Sequence, residues 1–156
     1  MYKLPLLPTK KKPRPAYHKP SAVKELEKLA TDEAIRKYPS IDEKYIAPRQ
    51  FRDDTANGLT RCIVKYISLR GGFASRVNNQ GTYDPKRKKY RLSTARRGLP
   101  DVLATWRGQS LFIEVKIGRD RMSEHQAKVQ QEQERSGGVY FVAPSFSEFK
   151  QWFDQL

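Results

Sequence analysis

A small α/β domain with a mixed sheet is the fold class that this sequence predicts, and three observations predict it. Apolar residues fall at helical spacing over about 55–70, and Gly71-Gly72 closes that stretch. Short strand-like runs follow at 73–77, up to Gly108, over 111–116 and over 139–143. Two capping boxes, Ser123-Glu-His-Gln126 and Ser145-Phe-Ser-Glu148, announce helices between and after those runs. After residue 52 the expected order is helix, strand, strand, strand, helix, strand, helix.

Each element has its own signal. Residues 1–20 carry Lys3, Lys10, Lys11, Lys12, Arg14 and Lys19 with no acid, and five prolines forbid a helix. Such an arm can lie on a phosphate backbone or serve as a solubilising tail. Residues 21–50 are a separate helix and linker: Ser21 is the candidate N-cap of a helix to about Lys37, with a thin apolar face, and Pro39 ends it. The main domain is expected over 51–156. Its first helix places Leu59, Cys62, Ile63, Tyr66 and Ile67 on one stripe, with Asp53, Asp54 and Thr55 available as caps. Residues 79–98 read as a long loop that carries Lys86, Arg87, Lys88, Lys89, Arg91, Arg96 and Arg97 together with Tyr83 and Tyr90. Basic side chains interleaved with aromatics suit a nucleic-acid contact. The last helix collects Phe146, Phe149, Trp152, Phe153 and Leu156 on one side.

Composition narrows the class of partner. The chain has 156 residues, with 31 Lys and Arg against 17 Asp and Glu, a formal net charge of +14. A polyanion is the natural partner for that excess, and nucleic acid is the commonest one; a basic surface without a ligand is the plainer alternative. No run is long enough to span a membrane, and prolines interrupt Leu4, Leu6 and Leu7, so neither a membrane partner nor a signal peptide is expected. The single cysteine, Cys62, cannot form an internal disulfide and lies on an apolar stripe. A core position in a reducing, cytoplasmic protein is expected.

The chemistry concentrates in the stretch Gly98 to Lys116. If Arg107-Gly108 is a two-residue turn, Trp106 faces Gln109, Leu103 faces Phe112, and Asp101 faces Glu114. Opposed residues share a sheet face, and Lys116 returns to that face two steps on. The other face collects Val102, Ala104, Trp106, Leu111, Ile113 and Val115 as core. Opposed carboxylates repel unless a cation joins them, and an all-oxygen donor set suits Mg²⁺ or Mn²⁺. A one-residue slip would send Asp101 to the other face. Alternatively, Asp101 caps a turn after Pro100, and Glu114 and Lys116 are a solvated strand face.

Gly-Leu-Pro-Asp101, Phe-Ile-Glu114-Val-Lys116, Ser-Glu-His-Gln126 and Gly-Gly-Val-Tyr-Phe-Val-Ala, in that order, closely resemble the PD-(D/E)XK nuclease superfamily, and within it the VRR-NUC group. The resemblance covers roughly 55–150. It implies a restriction-endonuclease-like core, a mixed sheet flanked by helices, and Mg²⁺-dependent endonuclease cleavage of DNA, often at branched, flap or junction structures. Matched residue by residue, Asp101 and Glu114 become metal ligands with the Val115 carbonyl, Lys116 orients or activates water, and Gln126 positions water or phosphate. The amide of Gln126 has a second candidate role in completing its capping box. Lys86, Arg87, Lys88, Lys89, Arg91, Arg96 and Arg97 become the DNA grip. Mn²⁺ is expected to substitute for Mg²⁺, no small-molecule cofactor is expected, and small versions of this group imply a homodimer. In one departure, the glutamate usual near the start of the first core helix is replaced by Thr55-Ala-Asn57-Gly58-Leu59, so Asp53 or Asp54 must serve or a second cation binds less tightly. A catalytically weak or inactive nucleic-acid-binding protein on the same fold is the competing expectation.

Overall fold

The four-residue strand β1 (Phe73–Arg76) and the hairpin β4 (Val102–Trp106) and β5 (Gln109–Val115) form three antiparallel neighbours, and β6 (Val139–Ala143) joins β5 in parallel. The sheet is therefore mixed, in the order β1-β4-β5-β6. This computed structural model describes residues 16–78, 82–91 and 95–156. Lys3, Lys10, Lys11, Lys12 and Arg14 of the basic arm lie outside the described residues.

Helices cover both faces. On one side lie α1 (Ser21–Lys37), α2 (Ala56–Leu69) and α4 (Phe146–Phe153). Leu59, Ile63 and Ile67 of α2 and Phe146, Phe149 and Phe153 of α4 share one core with Val102, Leu111, Ile113 and Val115 of the sheet. Tyr66 is its hub: its ring meets Phe146 and Phe153 edge-on at 5.7 and 5.8 Å, and its hydroxyl donates to Asp154 at 2.6 Å. α3 (Glu124–Arg135) lies in the β5-to-β6 crossover, and its Val129 is buried. The alternation anticipated for the hairpin is observed, with Val102, Ala104, Leu111, Ile113 and Val115 all buried.

Two local features differ from the sequence expectation. Ser21 does not cap α1; it is the first helical residue, and Pro20 stands at the N-cap without a side-chain bond. The thin apolar face expected for α1 is observed, and Val23 and Leu26 enter the same core as α2. The stretch expected as a continuous loop contains a second, two-stranded sheet, β2 (Thr82–Asp84) with β3 (Lys89–Arg91). Its basic composition hides it from a hydrophobic pattern, but Asp84 holds the turn, its carboxylate accepting from the N–H groups of Lys86 at 3.0 Å and Arg87 at 3.2 Å. Elsewhere the caps fall where expected. Thr55 accepts from Gly58 N–H at 3.1 Å, and Ser145 from Glu148 N–H at 3.2 Å. Among the described residues no helix is long and apolar enough to cross a membrane.

Candidate active site

The Arg107-Gly108 turn sets the register. Both residues take positive φ, 46° and 80°, as a tight two-residue hairpin of this hand requires. Pairing then runs Trp106 with Gln109, Thr105 with Ser110, Leu103 with Phe112 and Val102 with Ile113. The same count sets Asp101 across from Glu114 and Pro100 across from Val115. Asp101 is anchored at both ends: its carbonyl accepts from Val77 N–H at 2.8 Å, and its Oδ2 accepts from Val115 N–H at 2.9 Å. That second bond joins the two motifs directly.

Pro100 has a physical consequence of its own. In a strand, the N–H and C=O of one residue leave on the same side. The Val115 N–H points toward Asp101, so its carbonyl also leaves toward β4, where Pro100 has no N–H to offer it. A proline at this point cannot supply that oxygen with a ladder donor.

Glu114 is the most enclosed charged group in the chain's described part, only 3% exposed. Its Oε1 accepts from Gln126 Nε2 and lies 3.1 Å from Lys116 Nζ. Its Oε2 is buried and has no partner. Burial raises the Glu114 pKa to about 7, and the Asp101 charge adds to that rise against the opposing pull of Lys116. Burial pushes the Lys116 ammonium down, but its hydrogen bond to Glu114 and the charges of Glu114 and Asp120 win and hold it above its usual range. Lys116 is thus a firmly charged donor, fixed also through its backbone N–H on the Ala143 carbonyl at 3.0 Å.

Gln126 arrives from the first turn of α3. Its Oε1 accepts from Ser123 N–H at 2.9 Å, and Ser123 Oγ accepts from Gln126 N–H at 3.3 Å, so the capping box is complete. Its remaining amide N–H₂ turns to Glu114. The capping-box role expected for Gln126 is thus observed, and the other end of its amide contacts the Glu114 carboxylate. The approach segment is held close: Gly98 has φ 84°, and a Cβ there would run into the His125 carbonyl of α3.

The donor set fits a hard divalent cation. Two carboxylates, one with an orphaned buried oxygen, and the Val115 carbonyl, to which Pro100 can offer no N–H, are all oxygen donors, the kind Mg²⁺ takes while keeping several waters. Among the described residues there is no cluster of three or more acidic, histidine or cysteine side chains. The acids considered as substitutes for the missing glutamate are engaged elsewhere. Asp53 is buried, accepting from Tyr17 hydroxyl at 2.8 Å and from Phe146 N–H at 3.3 Å, and Asp54 holds Arg52 at 2.6 Å. Asn57 accepts from the Arg76 guanidinium at 2.7 Å, so this corner presents a cation and an amide instead of an acid. Arg76 is not legible from the sequence as a neighbour of Asn57, because only the packing of β1 against α2 brings the two together. Asp120, 3.4 Å from Lys116 Nζ, was likewise missed, since nothing in its loop has a period.

The expected DNA grip is divided. Lys86, Arg87, Lys88 and Lys89 are exposed at the turn of the β2–β3 hairpin. Arg91 ends β3, and its side chain lies outside the described part of the structure. Arg96 is tied to Glu132 on α3, while Arg97 is exposed beside it. In comparisons with known proteins, no family model matches this chain and no curated protein matches it.

Proposed function

We propose that the chain is a Mg²⁺-dependent DNA endonuclease, with a restriction-endonuclease-like core of the VRR-NUC kind, acting on branched, flap or junction DNA. The carrying observation is the buried Glu114 carboxylate, with one oxygen orphaned and the other shared by Lys116 and Gln126, on the face where Asp101 is placed by register. A chain gains nothing in stability by burying a half-satisfied carboxylate near a second one. A cation explains the arrangement.

In this reading Asp101, Glu114 and the Val115 carbonyl hold the ion. Bound there, Mg²⁺ supplies polarisation of the scissile phosphate and acidification of water. Lys116 donates hydrogen bonds to the attacking water and to the charge that gathers on the phosphate oxygens. The water oxygen would bond to phosphorus as it gives up a proton to solvent, one P–O ester bond would break, and the leaving oxygen would take up a proton from solvent. Gln126 keeps Glu114 aimed. The exposed bases at 86–89, with Arg97, bind the DNA backbone.

A second reading, a nucleic-acid-binding protein that cuts weakly or not at all, is favoured by one specific observation: the start of α2 presents Asn57 bonded to Arg76 where an acid is expected. Incubating labelled linear, flap and four-way DNA with Mg²⁺, Mn²⁺ or EDTA decides between them. Nuclease activity requires cutting with metal, none with EDTA, and loss of cutting but retention of binding in Lys116→Ala. Binding without cutting under either metal gives the second reading.

A further inference from the structure

Three buried polar side-chain atoms among the described residues lack a partner: Trp106 Nε1, Glu114 Oε2 and the Tyr140 hydroxyl. Trp106 belongs to the core face, where its ring packs against Phe153 at 5.1 Å. The other two share the opposite face. The parallel register sets Tyr140 beside Phe112 and Val142 beside Glu114, so Tyr140 is the diagonal neighbour of Glu114 on the next strand. A diagonal of that kind is within reach of a tyrosine side chain. Tyr140 is 9% exposed, on the strand that α3 packs against. Burial raises its phenol pKa, and the charges acting on it most strongly are Glu114 and then Asp101.

A buried phenol without an acceptor and a buried carboxylate oxygen without a donor are each unfavourable. On one face, diagonal across neighbouring strands and not bonded to one another, they offer the two polar ends that one enclosed water needs. The phenol supplies the donor. A carboxylate oxygen has two lone pairs, so Glu114 Oε2 can accept from water and still ligate a cation.

We propose that Tyr140 is a positioning residue of the cleavage site: its hydroxyl and Glu114 Oε2 hold one water between them, and that water fixes the orientation in which the carboxylate meets the divalent ion. The proposal rests on the metal-site reading above. Partners one shell out from a metal ligand tune affinity in this way.

Tyr140→Phe removes the hydroxyl and keeps the ring, and Mn²⁺ affinity and metal-free melting are measured on the full chain beside Glu114→Gln. Tyr140→Phe is expected to bind Mn²⁺ about tenfold less tightly, with no rise in melting temperature. A wild-type Mn²⁺ affinity in Tyr140→Phe, with Glu114→Gln losing the ion, overturns the role of Tyr140 and leaves the metal site standing. Undiminished binding in Glu114→Gln, or no binding by the wild type, overturns the site and this inference together. A metal-free crystal structure tests the water independently: density bridging the two oxygens supports it, and a dry gap or a direct bond from the phenol to Glu114 sinks it.

Discussion

Gln126 donates from Nε2 to Glu114 Oε1 while its own Oε1 accepts from Ser123 N–H at 2.9 Å. Only an amide can do both. A glutamate at this position would close the capping box equally well, but it would set a carboxylate against a buried carboxylate. Gln126→Glu is therefore expected to keep the α3 start and cut cleavage by tenfold or more, roughly the size of other outer-partner losses. Gln126→Ala is expected to lose about 1 kcal/mol of stability as well, because it opens the box. Urea denaturation and cleavage rates, measured together, separate the two effects; equal cleavage by Gln126→Glu and the wild type counts against the role given to Gln126.

The pH dependence follows from Glu114. Its carboxyl is raised from 4.5 to about 7, chiefly by burial. The folded chain keeps a proton that the unfolded chain has lost, so the stability from this group is complete below about pH 4.5 and is lost as pH climbs through about 7. Divalent metal must displace that proton. The rise in melting temperature on adding Mg²⁺ is thus expected to be small near pH 5 and larger near pH 8. Glu114→Gln is expected to remove both the metal-free decline across this window and the Mg²⁺ effect. A Mg²⁺ shift that stays constant across that range contradicts the assignment.

Pro100 denies the Val115 carbonyl a ladder donor. Pro100→Ala restores an N–H facing β5 and lets that carbonyl be claimed by the sheet. Stability is expected to hold or rise by a few tenths of a kcal/mol, well inside the net worth of about 1 kcal/mol for one hydrogen bond. Mn²⁺ affinity is expected to fall several-fold at the same time. Calorimetric titration gives the affinity, and an unchanged value would remove Val115 from the ligand set.

The hairpin was legible because one turn, Arg107-Gly108, fixes a register of period two, and every residue from Asp101 to Lys116 follows by counting. Cys62 and the stripe of α2 were legible because burial has its own period. What could not be read were relations between elements distant in sequence. Nothing local tells that Asp53 receives Tyr17 and the N-terminus of α4, or that Arg76 meets Asn57. Tyr140 joins the face of Glu114 only through the β5–β6 register, which depends on how the α3 crossover returns. The β2–β3 hairpin escaped because its pairing is driven by a turn held by Asp84, with no apolar alternation to mark it.

Cys62 offers a check on the core. It is fully buried, and its thiol is pushed up to about 12, first by burial and then by the nearby Asp53 charge. A thiol so far above neutrality has almost no thiolate. It is expected to resist a disulfide reagent in the native chain at neutral pH and to react at once in denaturant. Fast native reaction would show that α2 does not pack as described.

The basic hairpin makes a prediction in salt. Lys86 and Arg87 are exposed, and Asp84 holds the turn that presents them. Arg96 differs, since it must first leave Glu132; that pair is partly exposed and contributes on the order of 1 kcal/mol or less, so a phosphate can displace it. Each phosphate neutralised on duplex DNA contributes about 0.9 to the slope of log affinity against log salt. Replacing both Lys86 and Arg87 by alanine is expected to flatten that slope by about 2 if each meets one phosphate. The rate of cutting once DNA is bound is expected to stay the same, because neither side chain touches Asp101, Glu114 or Lys116. An unchanged slope would move the backbone contact away from this hairpin, to Arg97 and its neighbours on α3.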